Sequence, residues 1–285
     1  MGVYIGLDIG GTKFLVASAD QQGQILKRIQ AVTPSGLQDG LDLLHRMIEE
    51  VADGKAISGI GAAVGGPLSW KKGVVSPLHQ PGWREVPLKE IMQQRWQTNF
   101  WVDVDTNIAA LGEYTFGGET APNLLYLTLS TGMGGGFLVN GKLYRGMAGE
   151  HPEVGHMSIP FRCLNPAGVH CECGVPDCLE ALVSGNGIQR IYGKPAGNLS
   201  EPEWEEVTYN FGQGLRNLAV IYLPDVIVLG GGVAFGRGQR LIESASQVMR
   251  DHLRLVPAPR VRLSRLGYDT ALLGSIAAAI HGLDE

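Results

Sequence analysis

Residues 3–19 read VYIGLDIGGTKFLVASA, so two short apolar runs flank a polar segment that contains two adjacent glycines. The runs Val3–Leu7 and Phe14–Ala19 are rich in β-forming residues, and Asp8–Lys13 has the composition of a tight turn. This pattern predicts a β-hairpin. Without Cβ atoms, the glycines let backbone N–H groups approach an anion closely. The turn is therefore either a phosphate-binding loop or an ordinary hairpin connection.

A second stretch of the chain repeats this arrangement. Residues 124–129 form a predicted strand, STGMGGG (130–136) a glycine-rich turn, and residues 137–140 a further strand. Strands and helices are predicted after both hairpins, which suggests two related α/β lobes. Two such turns could hold successive phosphates of one nucleotide. The chain contains neither the G-x-x-x-x-G-K-[ST] string nor the G-x-G-x-x-G string, so by motif it is neither a Walker-type nor a dinucleotide-fingerprint protein.

Apolar residues spaced three and four positions apart predict amphipathic helices elsewhere. The clearest stripe runs from Leu37 to Val51 and ends near Asp53. Gly230–Gly232 follow a predicted buried strand and either let an adenine ring approach the backbone or serve helix–strand packing. The region 146–174 has no sustained period and is predicted to be an irregular insertion. Further helices are predicted around 88–92, 105–116, 211–222, 241–249 and 272–280, and further strands at 57–64, 100–104 and 226–229.

Composition excludes several classes of protein. The 285 residues include 23 Lys and Arg against 28 Asp and Glu, and this net charge of −5 disfavours a nucleic-acid partner. The N-terminus lacks the basic and apolar regions of a secretory signal. The apolar stretch 271–280 falls short of the roughly 18 residues that a membrane span needs. We therefore predict a cytoplasmic protein that binds neither nucleic acid nor membrane.

Three of the four cysteines lie within eight residues of one another, which is a spacing typical of metal sites. Together with His156, the thiols of Cys171, Cys173 and Cys178 would make a tetrahedral set suited to structural zinc. A reduced thiol cluster or a local disulfide is the alternative, and His151 or His170 could replace His156 as the nitrogen ligand. Cys163 has no predicted role.

Asp105 follows a predicted strand and begins a predicted helix, where a carboxylate can act simply as an N-cap. In a phosphoryl-transfer site the same carboxylate would orient and deprotonate the attacking hydroxyl. Asp103 is a competitor, because positions 103 and 105 share one face of a strand.

Six motifs occur in order along the chain: DIGGTK (8–13), VDTNIAALGE (104–113), LTLSTGMGGGFLVNGKLYRG (127–146), HPEVGH (151–156), CECGVPDCLE (171–180) and DVIVLGGG (225–232). Taken together, they resemble the repressor, open-reading-frame and kinase (ROK) family. This resemblance implies an α/β fold of the actin-like, ribonuclease-H-like type, with ATP–Mg²⁺ and a hexose meeting in the cleft between two lobes. It implies a small lobe of residues 1–116, completed by the C-terminal helix 271–285, and a large lobe of residues 117–270 with a zinc-stapled insertion and the adenosine site.

The resemblance also implies individual roles. Asp105 becomes the general base, Asp8 lies near Mg²⁺, and His156 serves both zinc and sugar. A homodimer is expected. The resemblance assigns the first phosphate loop to Gly10, Gly11, Thr12 and Lys13, and the second phosphate loop to Thr131, Gly132 and Gly134. It places Gly231 and Gly232 at the adenosine, and Gly66, Glu153 and Glu180 at the sugar.

Some positions depart from the family pattern. Val104 stands where the family's glucose kinases usually have Asn, and His79 stands where an Asn usually precedes Pro-Gly-Trp. His151-Pro152-Glu153 is more similar to the fructose-phosphorylating branch, and Ser130 replaces a usual glycine. We therefore predict ATP-dependent phosphorylation of a hexose of the fructose or glucose class at a primary hydroxyl. The alternative is a weakly active or inactive sugar sensor. A DNA-binding regulator is disfavoured, because a strand beginning at Val3 leaves no room for a preceding helix-turn-helix.

Overall fold

The computed structural model describes residues 2–283, which divide into two compact units. Unit 1 takes in the chain up to Thr120, the short segment Arg145–Glu150 and the chain from Asp269 onward. Unit 2 consists of Ala121–Tyr144 and His151–Tyr268. Six residues in the middle of the sequence therefore pack with unit 1, although the residues on both sides of them belong to unit 2.

Unit 1 is built on a five-stranded sheet. Its strands are β1 (Val3–Ile9), β2 (Lys13–Ala19), β3 (Ile25–Val32), β4 (Ile57–Val64) and β7 (Phe100–Val104), with a separate two-stranded ribbon of β5 (Leu68–Ser69) and β6 (Val74–Val75). The strand order in the sheet is β3-β2-β1-β4-β7. Strands β1 and β2 pair antiparallel with Ile9 opposite Phe14, which confirms the predicted hairpin and limits the turn to Gly10–Thr12. Strand β1 also pairs in parallel with β4, and β4 with β7.

Helices cover both faces of this sheet. They are α1 (Leu37–Ala52), α2 (Leu88–Trp96), α3 (Asp105–Phe116) and α9 (Thr270–His281). The apolar residues of α1 and α2 join alternate residues of β1 in one core, as the predicted stripe requires. Helix α9 packs on β1 and β4, where Ser275 Oγ donates to the Leu7 carbonyl at 2.7 Å. At Gly61 a Cβ atom would overlap the Ser275 carbonyl, so glycine permits this close approach.

Unit 2 contains a second five-stranded sheet. Its strands are β8 (Leu124–Leu129), β9 (Met133–Val139), β10 (Lys142–Leu143), β11 (Val226–Gly230) and β12 (Arg260–Leu263). Their order, β10-β9-β8-β11-β12, repeats the strand order of unit 1 and confirms the predicted repeat at the level of sheet topology. The prediction of a turn over residues 130–136 is wrong, because β9 begins at Met133 and Gly134 pairs with Thr128 in the ladder. Gly135 leaves room for Val154, whose Cγ2 would lie 2.7 Å from an added Cβ.

The helices of unit 2 enclose a single large apolar cluster with β8, β9 and β11. They are α4 (Leu179–Val183), α5 (Gly185–Tyr192), α6 (Glu201–Tyr222), α7 (Gly232–Arg237) and α8 (Gln239–Asp251). The region 146–174 contains three single 3-10 turns and no longer helix or strand, which confirms its predicted irregularity. Within residues 2–283, no helix combines the length and apolar character needed to cross a membrane.

Candidate functional site

The first glycine turn, residues 10–12, is exposed at its tip, and hydrogen bonds from Thr33 and Gln80 fix its first residue. Residues Gly11, Thr12 and Lys13 are exposed, while the Gly10 carbonyl accepts hydrogen bonds from Thr33 Oγ1 at 2.7 Å and Gln80 Nε2 at 2.9 Å. A Cβ atom at Gly11 would lie 2.7 Å from His79 Cβ. The turn is therefore a braced backbone surface, and glycine is required at position 11 by close packing.

Asp8 lies at the end of β1 beside this turn, in an unusually acidic setting. Burial first, and then the charges of Asp105 and Asp269, raise the pKa of its carboxyl from 3.8 to about 6, while the charge of Lys13 opposes this shift. Like charges held together favour either a proton or a bound cation. Asp8 and Asp105 therefore supply carboxylate oxygens of the kind that Mg²⁺ prefers.

Replacing Asp8 tests this electrostatic setting directly. Because the folded pKa of about 6 exceeds that of an unfolded Asp, about 3.9, the folded protein holds a proton between pH 4 and 6 that the unfolded chain releases. The stability of the wild type therefore falls as pH rises through this window. We expect Asp8→Asn to raise the free energy of unfolding at pH 7.5 by up to about 3 kcal/mol, and the gain to shrink as pH falls from 6 to 4.

Urea denaturation without Mg²⁺ measures this, with Asp39→Asn as the control for an exposed acid in the first turn of α1. The control should change stability by less than about 0.5 kcal/mol. A wild type and Asp8→Asn of equal stability at pH 7.5 would contradict the assigned setting.

The structure separates the two competing acids at the end of β7. Asp103 is 2% exposed, and its carboxylate accepts from the Val104 N–H at 2.7 Å and forms an ion pair with Arg145 at 2.6 Å. Burial raises the pKa of Asp103, and Arg145 opposes that shift. Asp105 is exposed at the first position of α3, where the N-cap is Val104 and no side chain caps the helix. The N-cap interpretation of Asp105 is therefore wrong.

Arg145 is a functional neighbour that sequence reasoning missed. Its guanidinium stacks on Trp70, 4.0 Å from the ring centroid, while it pairs with Asp103. No local pattern in LYRG (143–146) indicates this partner, because the two residues are far apart in the chain. Gly66, which begins the cis Gly66-Pro67 bond, also lies here, since a Cβ atom on it would be 3.6 Å from Val104 Cγ1.

Four residues of unit 2 form the predicted Cys₃His cluster. The sulfur atoms of Cys171, Cys173 and Cys178 and a ring nitrogen of His156 all lie within 4.8 Å of one another. His156 Nδ1 faces Cys171 Sγ at 3.8 Å and Cys178 Sγ at 4.0 Å. Zinc–sulfur bonds of about 2.3 Å in a tetrahedron separate the ligands by roughly 3.8 Å, so the donor set fits zinc. Burial raises the pKa of Cys171 to about 12, so a metal must displace protons to bind.

The predicted sugar-binding acids lie around this cluster. His156 turns its Nε2 towards Glu153 Oε2 at 3.7 Å, and His151 Nε2 lies 3.5 Å from Glu153 Oε1. His151 therefore lies beside Glu153 and is not one of the four residues of the cluster. Glu180 Oε1 accepts from the Cys171 thiol at 3.4 Å, and its Oε2 accepts from the Met133 N–H at 2.9 Å. The cluster, Glu153 and Glu180 are therefore one connected group of side chains.

The second glycine turn is short and is held by helix α5. The Gly185 N–H donates to the Ser130 carbonyl at 2.7 Å, and the Asn186 N–H donates to the Thr131 carbonyl at 3.0 Å. Thr131 is exposed at its tip. Gly134, predicted to be part of this turn, lies in β9 instead.

Gly231 and Gly232 connect β11 to α7. Gly231 has a φ of +91°, and an added Cβ atom would overlap the Leu129 carbonyl, so glycine is required there by conformation and packing alike. Around Gly232 a Cβ atom would meet nothing within 4 Å. Of the two, only Gly232 has space beside it.

Comparisons with known proteins agree with one another. The family model described as ROK family matches residues 4–281. A glucokinase from Halalkalibacterium halodurans is 30% identical, with 95% of this chain and 93% of that protein covered. The structure of a ROK hexokinase from Thermus thermophilus is 31% identical and superimposes with a TM-score of 0.84 over 97% of both chains. A ROK family glucokinase from Streptomyces griseus, solved with glucose and AMPPNP, is 27% identical, covers 98% of this chain and 99% of that one, and gives a TM-score of 0.79. These similarities confirm the predicted two-sheet α/β fold.

Proposed function

This chain belongs to the ROK family, and from that membership we propose that it is an ATP-dependent hexokinase. The reaction is transfer of the γ-phosphoryl group of ATP to a primary hydroxyl of a hexose. The proposal is supported by a glucokinase relative that matches nearly the whole chain. The observation within the structure that best supports this function is the exposed carboxylate of Asp105. Its charge raises the pKa of Asp8, which lies beside the glycine turn 10–12.

We assign the general base to Asp105. Its carboxylate is exposed, so it can accept the proton of the attacking hydroxyl, whereas the buried carboxylate of Asp103 is paired with Arg145. Asp8 would hold Mg²⁺, which when bound neutralises charge on the phosphates. The backbones of Gly10–Lys13 and of Thr131–Gly132 would hold the phosphates, and Gly134, the second residue of β9, would belong to the second phosphate loop. Gly231 and Gly232 would border the adenosine.

The sugar roles follow the same assignment. We propose that Gly66, Glu153, His156 and Glu180 contact sugar hydroxyls. Val104, next to Gly66, offers a hydrocarbon side chain where the glucose kinases of the family usually have an amide. We propose a hexose of the fructose or glucose class, without selecting one. The homodimer implied by the resemblance and the cytoplasmic location predicted from the sequence stay predictions.

We propose zinc as the resident metal of the Cys₃His cluster. Bound there, it would fix residues 156–178 and so order Glu153 and Glu180, rather than take part in the chemistry. Cys178→Ser is expected to lower the zinc content from one ion per chain to below about 0.1, because three ligands hold zinc far less tightly than a closed set of four. Metal analysis after gel filtration measures this.

Cys163 supplies a matched control, since it packs against the apolar core of unit 2 outside the cluster. Cys163→Ser should keep one zinc per chain. A full zinc content in Cys178→Ser, or its loss in Cys163→Ser, would contradict the ligand set.

The activity is tested by ADP release from ATP–Mg²⁺ with glucose, fructose, mannose, allose and N-acetylhexosamines, using zinc-loaded protein. Turnover on one of these sugars is the expected result. Sugar binding by calorimetry without turnover on any of them would instead identify a sugar sensor.

A further inference from the structure

Glu180 makes two contacts that no sugar-binding role explains. It lies in the first turn of α4, two residues after Cys178. One carboxylate oxygen lies 3.4 Å from Cys171 Sγ, and the other accepts from the backbone N–H of Met133 at 2.9 Å. The same side chain therefore touches the metal cluster and the residue that ends the second glycine turn.

We propose that Glu180 is a positioning residue that couples the Cys₃His cluster to the glycine turn 130–132, so that zinc occupancy sets the affinity for nucleotide. The inference rests on the proposed function, because that function places phosphates at this turn. It assigns to zinc an effect on the nucleotide as well as on the sugar.

Glu180 holds one side of the glycine turn 130–132, through its bond to the Met133 N–H. Its other side is held by α5, through the Gly185 and Asn186 N–H groups. Towards the cluster, a Cβ atom on Gly132 would lie 3.0 Å from Glu180 Oε2, so the carboxylate packs directly against the turn. A carboxylate that accepts a backbone N–H makes one of the stronger hydrogen bonds in proteins. Displacing Glu180 would therefore loosen the turn at Met133.

The cluster in turn determines where Glu180 lies. Cys178 is fully buried, and α4 begins at the next residue. The Leu179 N–H donates to the Met157 carbonyl at 2.9 Å, next to the ligand His156. A metal that joins His156 to Cys178 fixes both ends of this contact. Without it, the first turn of α4 loses its link to His156, while Leu179, Leu182 and Val183 still anchor the helix in the apolar core of unit 2.

The test is a thermodynamic cycle of zinc removal and Glu180 substitution, read out as the dissociation constant of AMPPNP–Mg²⁺ by calorimetry. Zinc is removed with a chelator, which is then dialysed away. We expect zinc removal to weaken AMPPNP binding about tenfold in the wild type, and less than about twofold in Glu180→Ala, which is already weakened with zinc present. Glu180→Gln keeps an oxygen acceptor for Met133 and should bind AMPPNP nearly as the wild type does.

Glu206→Ala is the matched control, because Glu206 also accepts a backbone N–H, from Leu164 at 3.2 Å, and its side chain bonds to the Tyr192 hydroxyl at 2.8 Å rather than to Met133. This variant should retain the full zinc effect. Equal weakening by zinc removal in the wild type and in Glu180→Ala would overturn the inference, as would unchanged AMPPNP affinity in zinc-free protein that keeps its circular dichroism spectrum.

Amide hydrogen exchange gives a readout independent of nucleotide. Zinc removal should speed exchange of the Met133 amide at least tenfold, while the Tyr144 amide, bonded to the Phe137 carbonyl at 2.7 Å, serves as reference and should not change. Unchanged exchange at Met133 would overturn the coupling. If the zinc-loaded wild type neither binds AMPPNP nor phosphorylates a hexose, the proposed function fails together with the nucleotide part of the inference, and the Met133 exchange rate still decides whether the cluster and the turn are coupled.

Discussion

Asp105→Asn is expected to lower kcat about 10³-fold and to leave the dissociation constant of the sugar within about threefold of the wild type. An amide has the shape of the carboxylate and can still contact a hydroxyl, but it cannot accept the proton that the attacking hydroxyl loses. The exposed position of Asp105 at the start of α3 means that little packing is disturbed. The same change removes one of the charges that raise the pKa of Asp8, so Asp8 should stay ionised to lower pH.

Steady-state kinetics and sugar calorimetry on the same preparation measure the two effects. Asp39→Asn is the matched control, because Asp39 is also an exposed acid in the first turn of a helix, and its loss has the same effect on the helix dipole. This control should keep kcat within twofold. An Asp105→Asn protein with turnover within tenfold of the wild type would exclude Asp105 as the general base.

Arg145→Met is expected to lower the free energy of unfolding by about 3–5 kcal/mol, because it leaves the carboxylate of Asp103 buried without its cation. Asp103 is 2% exposed and bonds to Arg145 at 2.6 Å, so water cannot replace the lost partner easily. The double variant Asp103→Asn, Arg145→Met should recover part of the loss. In it no charge is buried, and the Asn oxygen can still accept the Val104 N–H.

Urea denaturation followed by tryptophan fluorescence suits this measurement, since four of the five tryptophans, at positions 70, 83, 96 and 101, belong to unit 1. The control is Arg28→Met, which breaks an ion pair of 2.9 Å with Asp269 whose side chains are 51% and 35% exposed. That pair should contribute less than about 1 kcal/mol. If the two arginine variants were equally stable, the buried pair would not have the role assigned to it.

The local spacing of apolar residues was enough to predict those helices and strands that bury one side against a core. The hairpin around Gly10–Thr12 and helix α1 were predicted because alternating or three-and-four spacing records which side of each element is buried. Strand β3 (Ile25–Val32) was not predicted. It lies at the edge of its sheet and alternates partly buried with exposed residues, so its apolar signal is weak. The run Gly134–Gly136 was assigned to a turn because glycine is typical of turns, whereas here it lies in a strand where Val154 approaches closely.

The candidate site divides in the same way. The sequence by itself determined the three cysteines of the cluster and the first glycine turn, because Cys171–Cys178 are close in the chain and a turn is a local structure. The choice of His156 among three histidines and the shortening of the second turn to residues 130–132 came from the tertiary structure. The tertiary structure alone decided which of Asp103 and Asp105 is exposed, since that depends on Arg145, 42 residues further along the chain than Asp103. It also decided that Glu180 reaches Met133. Contacts between residues distant in the chain are set by how whole elements pack, and no local spacing of residue types records them.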